Sequence, residues 1–216
     1  DGDMLLIEPL LRTMPNLKSL NLRENNIGDK GAKAIARALE GNETLKELDV
    51  SANAFGETGA NALLPHAKII GASLGWKGVN SEKWDISGKK LTDGDMLLIE
   101  PLLRTMPNLK SLNLRENNIG DKGAKAIARA LEGNETLKEL DVSANAFGDE
   151  GAMAIGAVLE GNETLKNLNI LGNTFGEKGA TALMPYYEIM RQTIETKFCW
   201  KGVNSEKWDI SGKKLT

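Results

Sequence analysis

Two side chains of the nucleophilic type occur once each: Cys199, in KFCWKG, and His66, in LPHAKII. A thiolate activated by an imidazole would be a covalent nucleophile. The two stand far apart in the chain, and no histidine is near Cys199 in sequence, so Cys199 reads as a half-buried thiol near the chain end. The strings GDKGA and GEKGA resemble phosphate-binding loops. They recur wherever a turn must enter a helix, which explains them without a ligand. Asp and Glu at those helix starts serve the helix dipole. Asn42-Glu43-Thr44 is a glycosylation sequon, repeated at Asn134 and Asn162. Each occurrence occupies a helix-to-strand turn, and the turn is the preferred reading. There is no P-loop, paired histidine set, nucleophile elbow or cysteine cluster. The expectation is a chain with no catalytic residue, no metal site and no cofactor.

Composition narrows the partners. The 216 residues carry a net charge of −3 and 41% hydrophobic residues, enough apolar content for a packed core. No strongly basic stretch favours nucleic acid; the longest basic clusters are Lys89–Lys90 and Lys213–Lys214. No apolar run reaches the length of a membrane span, and the first residues lack a signal-peptide pattern. One cysteine permits no intrachain disulfide. These features lead us to expect a reducing, cytoplasmic setting, without membrane or nucleic acid.

The elements that would position any site come from repetition. Residues 1–56 recur unchanged at 93–148, and 76–92 recur at 200–216. The chain is therefore two modules, 1–92 and 93–216, expected to form one continuous array over 1–216. Inside them runs a period of 28 residues, as in LKSLNLRENNIGDKGAKAIARALEGNET at 17–44. In one unit Leu112 and Leu114 point to one face of a strand, and Ser111, Asn113 and Arg115 to the other. Asn117 follows at the bend. Its amide can donate and accept, so Asn25, Asn53, Asn117, Asn145 and Asn173 are expected to form a ladder between units. A Gly-Asp-Lys-Gly turn at 120–123 opens a helix, on which Ala124, Ile127 and Leu131 face the strands. Gly133 ends that helix in a left-handed conformation. One unit alone cannot bury its apolar face; stacked units share a core.

The pattern L-x-x-L-x-L-x-x-N-x-I/F-G-x-x-G-A, followed by an apolar helix, resembles ribonuclease-inhibitor-like leucine-rich repeats over nearly the whole chain. The resemblance implies an α/β solenoid, an arc or horseshoe with parallel strands on the concave face and helices on the convex face. Strands are expected near 17–23, 45–51, 81–87, 109–115, 137–143, 165–171 and 205–211. Helices are expected near 3–13, 30–40, 58–70, 94–105, 122–132, 150–160 and 178–196, with a break at Gly71 and a longer last helix. One unit is modified. Trp84 and Ile86 take the two core leucine positions, and Lys89 replaces the ladder asparagine, so the ladder should be interrupted there and at Lys213. Thr92 and Asp95 can form a capping box. Trp76 and Trp200 are read as covers over a discontinuity in the core.

The outward strand positions are Ser19, Asn21, Arg23; Glu47, Asp49, Ser51; Lys83, Asp85, Ser87; Ser111, Asn113, Arg115; Glu139, Asp141, Ser143; Asn167, Asn169, Leu171; and Lys207, Asp209, Ser211. This face is polar and mixed in sign, without aromatic anchors. Arg23, Asp49, Asp85, Arg115, Asp141 and Asn169 are the candidate contacts to a protein. The resemblance implies a non-catalytic interaction scaffold. A second reading is self-assembly: the segment 205–211 is a strand without its helix, and 3–13 a helix without its strand, so head-to-tail association would restore the joint at Thr92–Asp93. The activator of the Ran GTPase shares this repeat type, which makes GTPase activation the alternative function. Natural duplicates drift apart, so unchanged 56-residue blocks point to a very young duplication or an engineered array. The matching cuts at both ends and the lack of an initial Met favour engineering.

Overall fold

The computed structural model describes residues 2–75 and 80–190. The expected strand 205–211, Trp76, Trp200, Cys199, Lys207, Asp209, Ser211, Lys213 and the end of the 178–196 helix lie outside the described residues.

Helices and short strands alternate: α1 (Gly2–Arg12), β1 (Ser19–Asn21), α2 (Asp29–Ala38), β2 (Glu47–Asp49), α3 (Glu57–Leu63), α4 (Ala67–Ser73), β3 (Lys83–Asp85), α5 (Asp93–Arg104), β4 (Ser111–Asn113), α6 (Asp121–Leu131), β5 (Glu139–Asp141), α7 (Asp149–Leu159), β6 (Asn167–Asn169) and α8 (Glu177–Leu183). The strands pair in parallel on the concave side of an α/β solenoid, and the helices cover the convex side. Each β strand is three residues, shorter than the seven read from the pattern, because the chain bends as soon as the strand ends. The bend uses a left-handed residue in every described unit: Glu24, Ala52, Gly88, Glu116, Ala144 and Gly172 all have positive φ.

Register follows the 28-residue period. Leu20 faces Leu48 across β1 and β2, and Trp84, Leu112, Leu140 and Leu168 line up across β3 to β6. Trp84 is buried as its alignment with the core leucines requires, and its indole N–H donates to the Leu74 carbonyl at 3.1 Å. Helix ends follow the glycine expectation, with Gly41, Gly133 and Gly161 left-handed. The next Asn closes the turn into the strand: Asn42, Asn134 and Asn162 each accept the N–H groups two and three residues on. The sequon positions are thus filled by the turn that the repeat needs.

Two features depart from the regular reading. The stretch 58–70 is not one helix broken at Gly71. It breaks instead at Leu64–His66, a single 3-10 turn carrying Pro65, whose missing N–H and ring stop the α helix; Gly71 lies inside α4. Likewise α8 gives way to a 3-10 turn at Met184–Tyr186 with Pro185. The sheet is also divided. β1 pairs with β2, and β3 to β6 form a second sheet. In regular units the core-facing strand positions bond to the following unit: the Lys18 carbonyl accepts from Lys46, and the Leu22 N–H donates to Asp49. The Leu48 carbonyl points the same way, but it accepts the Ser73 hydroxyl of α4 at 3.0 Å. Helix α4 packs against β2 on the flank where a further strand would pair. Two apolar clusters result, and α5 joins them: Leu98 belongs to the first, Ile99 to the second, and Leu97 packs against both.

Candidate interaction surfaces

Three sets of polar groups hold neighbouring units together. The first is the asparagine ladder. Asn53 donates to the carbonyls of Leu22 and Val50 and accepts from the Ile27 N–H. Asn145 repeats this toward Leu114, Val142 and Ile119. Asn117 reaches Ile86 and Leu114 and accepts from Lys89 and Leu91. Asn173 donates to Val142 and Ile170. Asn25, in the same LRENN string as Asn117, is exposed and bonds only to its own turn, at Leu22 and Arg23. Lys89 enters the ladder only as a backbone donor, so the chain of side-chain amides is interrupted there.

The second set was not anticipated. The Asp that opens α2, α5, α6 and α7 does more than face its own dipole. Asp29 Oδ1 accepts the N–H groups of Gly56 and Gly59 in the next unit, at 2.9 and 2.8 Å. Asp93 does the same for Gly120 and Gly123, Asp121 for Gly148 and Gly151, and Asp149 for Gly176 and Gly179. The first N–H groups of a helix have no partner within it, and in these four pairs one unit supplies that partner to the next. The second glycine of the turn is required by this close approach: a Cβ on Gly123 would sit 2.7 Å from both Asp93 Oδ1 and Ile119 Cγ2, and one on Gly151 2.8 Å from Ala124 and Phe147 and 2.9 Å from Asp121 Oδ1. The sequence signal was an Asp followed 27 and 30 residues later by glycines.

The third set is a special joint at the divided sheet. Glu24, Gly88, Glu116 and Ala144 donate their N–H to carbonyls of the following unit, those of Ser51, Arg115, Ser143 and Leu171. Ala52 donates instead to the carboxylate of Asp95 at 3.2 Å. The same Asp95 oxygen accepts the Thr92 N–H at 2.8 Å, as the capping-box reading requires, and also the Thr92 hydroxyl at 2.9 Å. Asp95 is buried, and desolvation raises its pKa to about 6 against the lowering pull of the Thr92 and Ala52 bonds. At the outer edge of the joint, the Arg23 guanidinium donates to the Lys89 carbonyl at 2.7 Å, and Lys90 pairs with Glu24 at 2.8 Å.

The candidate contact residues all lie at the strand ends of the concave face, where local bonds engage them. Asp49, Asp85 and Asp141 each accept the N–H and the hydroxyl of the serine two residues on. The Ser87 donors hold Asp85 below the usual carboxylate range. Asn169 donates to Asp141 at 2.9 Å and to Ser143 at 3.1 Å. Arg23 is half-buried in the joint, while its twin Arg115 is exposed and bonds to Glu116 at 3.0 and 2.7 Å. The structure does not gather the six into one cluster. Glu47, Lys83, Glu139 and Asn167 are exposed at the start of their strands, where no serine turn consumes them. The sequence reading placed them outward without singling them out.

Among the described residues, no three His, Cys, Asp or Glu are grouped to hold a metal ion, and no helix is long and apolar enough to cross a membrane. His66 is half-buried, and burial pushes its pKa below the ordinary imidazole value.

Comparison with known proteins agrees with this architecture. A family model described as Leucine Rich repeat matches residues 13–36, 41–64, 105–128, 133–156 and 161–184, together more than half of the chain. The ribonuclease inhibitor of Sus scrofa is 30% identical over 122 residues, which are 56% of this chain and 25% of that protein. The human NACHT, LRR and PYD domains-containing protein 3 is 30% identical over 130 residues, 60% of this chain and 12% of that protein. The chain thus spans a quarter or less of these relatives. Among solved structures, leiomodin-1 actin-binding site 2 aligns over 90% of both chains, with 21% identity and a TM-score of 0.37. The stacked register, the asparagine ladder and the family-model match make the chain a member of the leucine-rich repeat family, and the likeness to ribonuclease inhibitor makes its repeats of the ribonuclease-inhibitor-like kind, a scaffold suited to protein interaction.

Proposed function

We propose that the chain is a non-catalytic scaffold that acts as a single array in a reducing compartment and engages another protein across its concave face. The observation that carries this reading is the row of exposed, mixed-sign side chains on strands held in register. Lys83 and Arg115 supply positive charge there, and Glu47 and Glu139 negative charge. Arg23, Asp49, Asp85, Asp141 and Asn169 form the rigid strand-end rim behind them, so contacts to a partner cost little side-chain ordering. A relative's name points the same way: it is a ribonuclease inhibitor.

The experiment is comparative capture. Immobilised wild type is set against a concave double variant, Arg115→Glu with Glu139→Lys, and a convex control, Lys125→Glu. A protein retained by wild type and by the convex control, but lost with the concave variant, supports the reading. Equal retention by all three, or loss with the convex control alone, overturns it.

A further inference from the structure

Helices α1 and α5 share the sequence GDMLLIEPLLR, followed in both cases by TMPNL. One sequence therefore occupies two environments. In α5 and the turn after it, Leu98, Leu102 and Met106 are 1%, 5% and 1% exposed. Their twins Leu6, Leu10 and Met14 are 70%, 53% and 43% exposed. Both helices bury the side that meets the following helix, α2 or α6. They differ on the side that meets the preceding unit. For α5 that unit is α3 and α4: Leu98 shares a cluster with Phe55, Leu63 and Ile70, and Gly94 lies so close to Phe55 that a Cβ there would clash with its carbonyl. Around Gly2, the twin of Gly94, the same space is open.

The other half of that contact also occurs twice. FGETGANALLP at 55–65 is matched by FGEKGATALMP at 175–185. Against α5, Phe55 and Ala60 are buried and Leu64 is packed into the cluster. At the second site Phe175 is half-buried, Ala180 exposed and Met184 one of the most exposed large apolar side chains. The described structure thus holds one closed joint, α3 with α5, and open versions of each of its two faces.

We propose that the open face of α1 is a docking site for the α8 end of a second copy of this chain. Leu6 seats against Phe175, Ala180 and Met184, as Leu98 lies in one cluster with Phe55, Ala60 and Leu64 inside one molecule, and Leu10 and Met14 lie exposed beside it. The contact is heterologous, so copies add head to tail and give rings or open chains. This inference rests on the reading of the chain as an interaction scaffold, but it uses a surface apart from the concave charges. Arg115→Glu with Glu139→Lys leaves self-association intact, so failure of either idea is told from failure of the other.

The test is mass in solution across a concentration series, with circular dichroism as the check of folding. All substitutions fall on exposed side chains. Wild type is expected to grow beyond a dimer. Leu6→Glu with Leu10→Glu blocks one end, and Ala180→Glu with Met184→Glu blocks the other. Each is expected to weaken association about a hundredfold or more, because a carboxylate is forced into an apolar contact. Mixed together, the two variants each keep one good end and are expected to form a dimer that stops there. Wild type that stays monomeric throughout overturns the proposal. So does growth that the α8 variant leaves unchanged, which would place the contact away from α8.

Discussion

The Ala52 N–H donates to the Asp95 carboxylate at 3.2 Å, at the one described strand end where a following-unit carbonyl is replaced by a side chain. Helix α4 has displaced the neighbouring strand, and Asp95 supplies the acceptor that the displaced strand would have given. A carboxylate is a costly substitute in a buried joint, and that cost should be visible as pH dependence.

The folded-state pKa of Asp95 is raised to about 6 from 3.8, chiefly by desolvation. Between those values the folded protein holds a proton that the unfolded chain has released. The Asp95 contribution to stability is therefore present below about pH 4 and lost as pH rises through about 6, by about 3 kcal/mol. Glu8, Glu24 and Glu82, held low by hydrogen bonds from Arg37, Lys90 and Lys110, act in the opposite direction, so the difference from Asp95→Asn isolates the effect. Denaturant unfolding at pH 4, 5, 6 and 7 should show the Asn variant gaining on wild type with rising pH. A difference that stays constant would contradict the assignment.

The Asp-to-glycine clasp predicts a coupled pair. Asp121→Ala removes the shared acceptor of the Gly148 and Gly151 N–H groups, at a cost of about 2 kcal/mol. Gly151→Ala drives a methyl into Asp121, Ala124 and Phe147, at a cost of about 3 kcal/mol. In the double variant one clash and the lost bonds coincide, so urea midpoints should fall by less than the sum. Strict additivity would show that the two residues act independently.

Asn117 and Asn25 make a matched comparison, since they sit in the same string. Asn117→Ala strands the N–H groups of Lys89 and Leu91 and the Ile86 carbonyl, and should cost about 3 kcal/mol. Asn25→Ala loses bonds within an exposed turn and should cost under about 1 kcal/mol. Equal losses by thermal unfolding would mean that the ladder carries no energy between units.

Left-handed residues offer a stabilising change. Ala144 has φ of 52°, where its counterpart Gly172 carries no Cβ penalty. Ala144→Gly should raise the unfolding free energy by up to about 1 kcal/mol, and Gly172→Ala should lower it by a similar amount. Both are read from denaturant midpoints; a loss on Ala144→Gly would show that its Cβ contributes packing greater than the strain.

Much of this was legible in the sequence. Strict spacing placed Leu112 and Leu114 in the core, Asn53, Asn117 and Asn145 in the ladder, and Trp84 among the leucines, because a period repeated along the chain leaves one register. The clasp was not read, because each half had a sufficient local explanation: Asp121 suited its helix dipole and Gly151 its turn. Only the pairing across units reveals it. Lys89 signalled only a missing ladder amide; the divided sheet was not legible there, because its physical cause lay elsewhere. Pro65 turns the chain so that α4 lies along β2, and Ser73 takes the Leu48 carbonyl. On the concave face, strand periodicity gave the outward positions, yet it could not say that Ser51, Ser87 and Ser143 occupy the aspartates beside them.

One helix sequence is covered at α5 and, on the proposal above, open at α1 until a second copy covers it. Thiol labelling rates measure this directly, in a Cys199→Ser background that carries either Leu6→Cys or Leu98→Cys. The thiol at position 98 is expected to stay protected at every protein concentration, while that at position 6 reacts freely in dilute solution and slows as concentration rises. A position 6 rate that ignores concentration, or equal rates at the two positions, would contradict it.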